Sequence, residues 1–219
     1  MEFNKSEYNA LIHLLDDDDS EVVEHVFDKI EEVGEVGIPI LENYLQSGNH
    51  LLQKRILKLL NKFEWFKVYN ELQLWHDQEE KELLKAVFLI SKVFDPKLEE
   101  NTIVQQIERI SQRIWLRVYQ NQSAFEQIQV FNYVIFSERA FENQGNVYGA
   151  YQFSLVDKVL SSKKGNSLGI GLIYLLIAES LELPIYGIVL PNYFALTFTK
   201  YWHSQKSMEN QDVINDIIF

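Results

Sequence analysis

Residues 154–198 read SLVDKVLSSKKGNSLGIGLIYLLIAESLELPIYGIVLPNYFALTF, and the fold turns on this stretch. A short helix over 154–161 gives way to a turn at Lys163–Lys164–Gly165–Asn166. Ser167 then opens a helix bearing Leu168, Ile170, Leu172, Ile173, Leu175, Leu176 and Ile177. A helix that is apolar nearly all round has no face to give to water, so it belongs at the centre of a core. Two strands follow, over 185–190 and 194–200, separated by Pro191–Asn192–Tyr193, and a third is expected over 213–219. Helices first and strands afterwards predict an α+β fold with a small antiparallel sheet, not a wound parallel sheet.

Upstream of this stretch the pattern is helical. Residues 98–119 predict a long helix with Ile103, Ile107, Ile110, Ile114 and Leu116 inward. Ser123 can cap another, running to about Phe141 with Phe125, Ile128, Phe131, Ile135 and Phe136 on its apolar face. The stretch 142–152 has turn residues but no period, and reads as a loop. Further upstream, Leu11, Ile12, Leu14 and Leu15 precede the acidic run Asp16 to Asp19. Ser20 is the expected N-cap of a helix with the stripe Val22, Val23, Val26, Phe27, Ile30 and Val33, closed by Gly34. Pro39 suits the first turn of the next helix, which Gly48 stops. Helices follow over 51–63, near 65–76 and near 79–94, before Asp95–Pro96 breaks the pattern. Val23, Phe27 and Ile30 recur as Leu52, Ile56 and Leu59, 29 residues on. That spacing suits stacked hairpins of the HEAT-like kind.

Composition narrows the function. The net charge of -12 opposes phosphate backbones and anionic membrane surfaces, so neither nucleic acid nor membrane is the expected partner. Lys54, Arg55, Lys58, Lys62 and Lys67 read as a solvated helix face. No cysteine is present, which excludes thiol catalysis, disulfides and a cysteine-based zinc site. The start MEFNKSEYNA lacks the marks of a signal peptide, and no apolar run reaches membrane-spanning length, so a cytoplasmic protein is expected. His13, His25, His50 and His76 match no zinc spacing, the acidic run lacks the glycine of a calcium loop, and the glycines at 165, 169 and 171 are not followed by a phosphate-loop Lys–Ser/Thr pair. No cofactor or metal is expected. The glycines read instead as places where the central helix packs closely.

The order of these features resembles the bacterial transglutaminase-like family, in the branch whose papain-type core follows a helical N-terminal segment. The marks are the basic turn with Gly165, the apolar helix opened by a small residue, Leu183–Pro184, and the strand that ends in a Pro–x–x–Phe turn at 191–194. FNYVIFSERAFENQGNVYG over 131–149 and LIHLLDDDDSEVVEHVFDKIEEVG over 11–34 fit the same branch.

The resemblance implies acyl chemistry by a cysteine at the head of the buried helix, a histidine on the following strand and an orienting aspartate beyond it. In this chain the nucleophile position holds Ser167 and the base position holds Tyr193. His203 and Asp216 are weaker candidates for base and orienter. A phenol ordinarily titrates near 10 and is a poor base at neutral pH. The expectation is therefore a helical array over 1–96 and a degenerate transglutaminase-like core over 97–219, ending short of the family's C-terminal part. It would act as an interaction or scaffold module with a protein partner and no confident catalytic residue. A Ser167-dependent amidase-like hydrolase or a small-ligand-binding pseudoenzyme of the same fold are the alternatives.

Overall fold

The computed structural model describes residues 4–46, 49–119, 121–145 and 150–198, and the backbone of 217–218. The chain divides into two compact units, Met1–Glu79 and Glu80–Phe219. The division therefore falls ahead of the helix that ends at Phe94, not near residue 96.

The first unit holds α1 (Lys5–Leu14), α2 (Ser20–Val33), α3 (Ile38–Tyr44) and α4 (His50–His76). Tyr8, Ile12, Val26, Ile30, Leu41, Leu52, Ile56 and Leu59 form its core. The cap of α2 is Asp19, whose side chain accepts from the Glu21 N–H at 2.9 Å, and not Ser20, which is the first helical residue. Gly34 closes α2 with φ of 71°, a conformation that favours glycine. Gly48 lies outside the described residues. The two helices expected over 51–63 and 65–76 are one. Nothing between Asn49 and His76 is Gly or Pro, so no residue there interrupts the hydrogen-bond ladder.

The basic face of α4 is less solvated than its sequence suggested. Arg55 Nη1 donates to the carbonyls of Leu15 at 2.5 Å and Asp17 at 2.8 Å. Lys62 pairs with Glu31, and the Lys58 ammonium lies 5.2 Å from the Phe27 ring centre. The acidic run is also in use: Asn49 Nδ2 donates to Asp16, and the Asp17 side chain accepts from the Asp19 N–H. Among the described residues no group of acidic or imidazole side chains could hold a metal ion, and no helix is long and apolar enough to cross a membrane.

The second unit begins with α5 (Leu83–Phe94), α6 (Glu100–Trp115) and α7 (Ala124–Asn132). Ile103, Ile107, Ile110 and Ile114 of α6 are buried, but Leu116 is 63% exposed because α6 ends at Trp115. Ser123 caps α7 in a reciprocal box with Glu126. The helix does not run on to Phe141. It loosens into a π-turn over Tyr133–Glu138, where the Arg139 N–H reaches the Val134 carbonyl. The loosened turn keeps Ile128, Phe131, Val134 and Ile135 buried while Phe125 and Phe136 face out.

Two short strands, β1 (Glu142–Asn143) and β2 (Lys164–Gly165), pair in parallel where a loop and a turn were expected. Two residues are too few to show a period. Between them lie a 3₁₀ turn at Tyr151–Phe153 and α8 (Val156–Ser162). Helix α9 (Ser167–Ser180) is the central element, touching α6, α8 and the sheet. Tyr174 on α9 stacks on Phe131 with ring centres 5.6 Å apart, and Ser180 Oγ lies 2.8 Å from Ser111 Oγ on α6. The sheet is antiparallel in the order β3 (Ile185–Val189), β4 (Phe194–Phe198), β5 (Ile217–Ile218). The α+β expectation thus holds, with helix dominant and the sheets small.

Candidate functional site

The head of α9 is where the turn before it, the 3₁₀ turn and the β3–β4 hairpin converge. Asn166 is fully buried and is the N-cap: its Oδ1 accepts from the Gly169 N–H at 2.9 Å. This satisfies a first-turn donor that the helix itself cannot. The Asn166 N–H donates to the Phe153 carbonyl at 2.9 Å, and its Nδ2 donates to Ser154 Oγ at 2.7 Å. One side chain therefore ties the helix start to the 3₁₀ turn.

Glycines let the backbones approach. A Cβ at Gly169 would stand 2.2 Å from the Phe153 carbonyl oxygen. A Cβ at Gly171 would stand 2.4 Å from the Phe194 ring, and one at Gly187 on β3 would meet the same ring at 2.4 Å. The Phe194 ring is thus held between α9 and β3. A Cβ at Gly165 would meet the Val159 side chain at 2.7 Å, so the close packing expected at positions 165, 169 and 171 is what these contacts require.

Ser167 is the first residue of α9 and is half-buried. It is not the cap, since Asn166 fills that role. Its Oγ accepts a hydrogen bond from the Phe194 backbone N–H at 3.2 Å. That amide follows Tyr193 directly, so the two leading sequence candidates are brought to one place. It is the backbone of the turn, not the phenol, that meets the serine: the Tyr193 side chain is 58% exposed, and its carbonyl accepts from the Leu190 N–H at 2.9 Å to close the hairpin.

A serine nucleophile needs a base within hydrogen-bond reach. Among the described residues no imidazole, carboxylate or amine is hydrogen-bonded to Ser167 Oγ. His13, His25, His50 and His76 are exposed and all lie in the first unit. His203 and Asp216 lie outside the described residues. Two amides at the helix head, where an oxyanion could be cradled, are engaged: Ser167 N–H with the Gly145 carbonyl at 3.4 Å and Gly169 N–H with Asn166 Oδ1.

Around the site the charges are mostly cationic. Lys163, in the left-handed conformation at the end of α8, has its Nζ 4.6 Å from the Phe141 ring centre. Burial, and then the nearby Arg139 guanidinium, hold its ammonium below the usual lysine range. Asp157 is buried on α8, with one carboxylate oxygen 3.0 Å from Lys158 and the other without a hydrogen-bond partner. Sequence reading placed Asn166 in a turn and Phe194 at the end of the Pro–x–x–Phe mark, but missed the capping role of the one and the packing role of the other. Asn166 had a signal, an amide side chain immediately before an apolar helix. The Phe194 ring had none, because its partners are two glycines distant in sequence.

A buried helix whose first turn is fastened to the amide of an antiparallel hairpin defines an α+β core of the helix-on-sheet kind, with its candidate site at the helix head. The family model of the transglutaminase-like superfamily matches residues 101–216, just over half of the chain and including Ser167 and Tyr193, and the chain belongs to that superfamily. No curated protein and no solved structure matches it.

Proposed function

We propose that this chain is a non-catalytic transglutaminase-like protein whose core serves as an interaction or scaffold module. The observation that carries the reading is the pairing at the helix head: a serine in a chain without cysteine, its hydroxyl engaged by the Phe194 amide. A serine hydroxyl so placed lacks the thiolate character that the family's chemistry uses. The Ser167 and Gly169 amides at the helix head are already bonded within the chain, which leaves less for a developing oxyanion.

In the same reading the first unit is a HEAT-like array that offers a protein-binding surface, and the protein works in the cytoplasm. In support, Phe27 and Ile30 of α2 and Ile56 and Leu59 of α4, 29 residues on, join one core. The partner is a protein, not a nucleic acid or a membrane, on the strength of the net charge of -12.

The test is direct. The full chain is incubated with a panel of amide and ester substrates and with a fluorophosphonate probe, then digested and examined by mass spectrometry. The reading predicts no turnover and no adduct on Ser167. Turnover abolished by Ser167→Ala, together with an acyl adduct on the wild-type residue, would establish the serine hydrolase instead.

A further inference from the structure

Within an acidic chain the second unit gathers a cationic face. Arg109 and Arg113 are one turn apart on α6, and Arg117 follows in the turn beyond it. Arg139, after the π-turn, lays its Nη2 3.3 Å from the Arg109 carbonyl. Lys163 lies close enough for the two charges to disturb each other.

Counter-charge is scarce. Among the described residues Glu138 alone bridges this group: its Oε1 accepts from Arg113 at 2.9 Å, and Arg117 Nη2 lies 3.0 Å from its Oε2. Among the described residues Arg109 and Arg139 have no carboxylate partner, and Arg139 Nε is buried without a hydrogen-bond acceptor. Burial first, and then Arg113, push the Arg139 guanidinium below its ordinary range, against partial relief from Glu138. The other carboxylates close in sequence are Glu108, exposed beside Arg109, and Glu142, whose strand partner is Lys164. Between Arg113 and Arg117 the chain exposes Trp115 by 67% and Leu116 by 63%.

We infer that this face, formed by Arg109, Arg113, Arg117 and Arg139 with Trp115 and Leu116, docks an acidic segment of a partner protein that carries an apolar residue among its carboxylates. Crowded like charges with a single carboxylate between them are relieved by an incoming one, and arginine recognises carboxylates in fixed geometry. Exposed Trp, Leu and Arg together supply the apolar anchor and charge that concentrate binding energy at protein interfaces. An acidic protein segment fits better than nucleic acid, because the rest of the chain repels a long polyanion. The inference names a partner class for the interaction reading but does not need it: docking here is independent of whether Ser167 reacts.

The experiment uses the full chain and a fluorescein-labelled peptide of glutamates with one central leucine, followed by fluorescence anisotropy at low and high ionic strength. Saturable binding that weakens with salt is expected, with a lysine–leucine peptide of the same length not binding. Arg109→Glu, at an exposed position without an ion pair, is expected to weaken binding about tenfold. Arg109→Gln serves if a melting curve shows the first variant to be misfolded. Lys54→Glu, on α4, and Ser167→Ala are expected to leave binding unchanged. The inference falls if the peptide does not bind at low ionic strength, or if Lys54→Glu weakens it as much as Arg109→Glu. It falls equally if inorganic phosphate displaces the peptide at matched concentration, which would mark a small-anion site, or if oligouridylate binds more tightly, which would mark a nucleic-acid face.

Discussion

A methyl group at Gly169 would gain about 1 kcal/mol of helix propensity over glycine. It would also be driven to 2.2 Å from the Phe153 carbonyl oxygen. The carbonyl is backbone and also accepts the Asn166 N–H, so it has little freedom to retreat. Overpacking of this kind costs about 1–3 kcal/mol and more when backbone must move. The clash should therefore win, and Gly169→Ala should lower the urea midpoint of the full chain. A raised midpoint would show that the helix head shifts freely. Asn166→Ala should cost about 2 kcal/mol, from loss of the cap to Gly169 and of the bond to Ser154 Oγ. Asn166→Asp, which keeps the cap acceptor but loses the Nδ2 donor, should fall between. At this scale the sequence showed which residues were small or polar at the helix head. It did not show that Phe194, 23 residues beyond Gly171, is what the glycine makes room for.

Helix ends and continuity follow from local chemistry, and there the sequence reading was uneven. The cap at Ser123 and the Pro39 start were legible because a cap is a contact between near neighbours. The end of α7 was not, since its apolar residues keep recurring through the π-turn and period alone cannot register one wide turn. The break expected in α4 near residue 64 failed for a related reason: Glu64 and Trp65 interrupt the apolar stripe but not the backbone ladder. Long-range bonds between elements were also out of reach. Arg55 looked like one more solvated cation, yet it reaches two carbonyls just past the end of α1. A cation there meets both unpaired carbonyls and the negative end of the helix dipole. Arg55→Met, which keeps much of the aliphatic stem, should destabilise the chain by about 1–2 kcal/mol. Lys54→Met, one residue away and exposed, should be near neutral. Equal effects in thermal melts of the two variants would refute the capping role.

Across the whole molecule, each unit is built around a phenol that resists ionisation. Tyr8 in the first unit is buried among apolar residues, with its hydroxyl against the Gly37 backbone, and burial raises its pKa to about 12. Tyr174 in the second unit donates to Asn132 Oδ1 beneath the Phe131 ring, and burial raises it further above the usual range. In the unfolded chain both phenols titrate near 10. Below that pH both states hold the proton, so the stabilising burial of the neutral ring is fully present. Above it the unfolded chain releases the proton while the folded chain must keep it, and stability falls until the folded pKa is passed, about 12 for Tyr8. Lysine deprotonation occurs in the same range but is common to all variants. Tyr8→Phe and Tyr174→Phe should therefore each flatten the decline of the urea midpoint between about pH 9 and pH 11, and the double variant should flatten it most. Decline curves that superimpose on the wild type for either variant would show that its hydroxyl loses its proton as easily in the folded chain as in water.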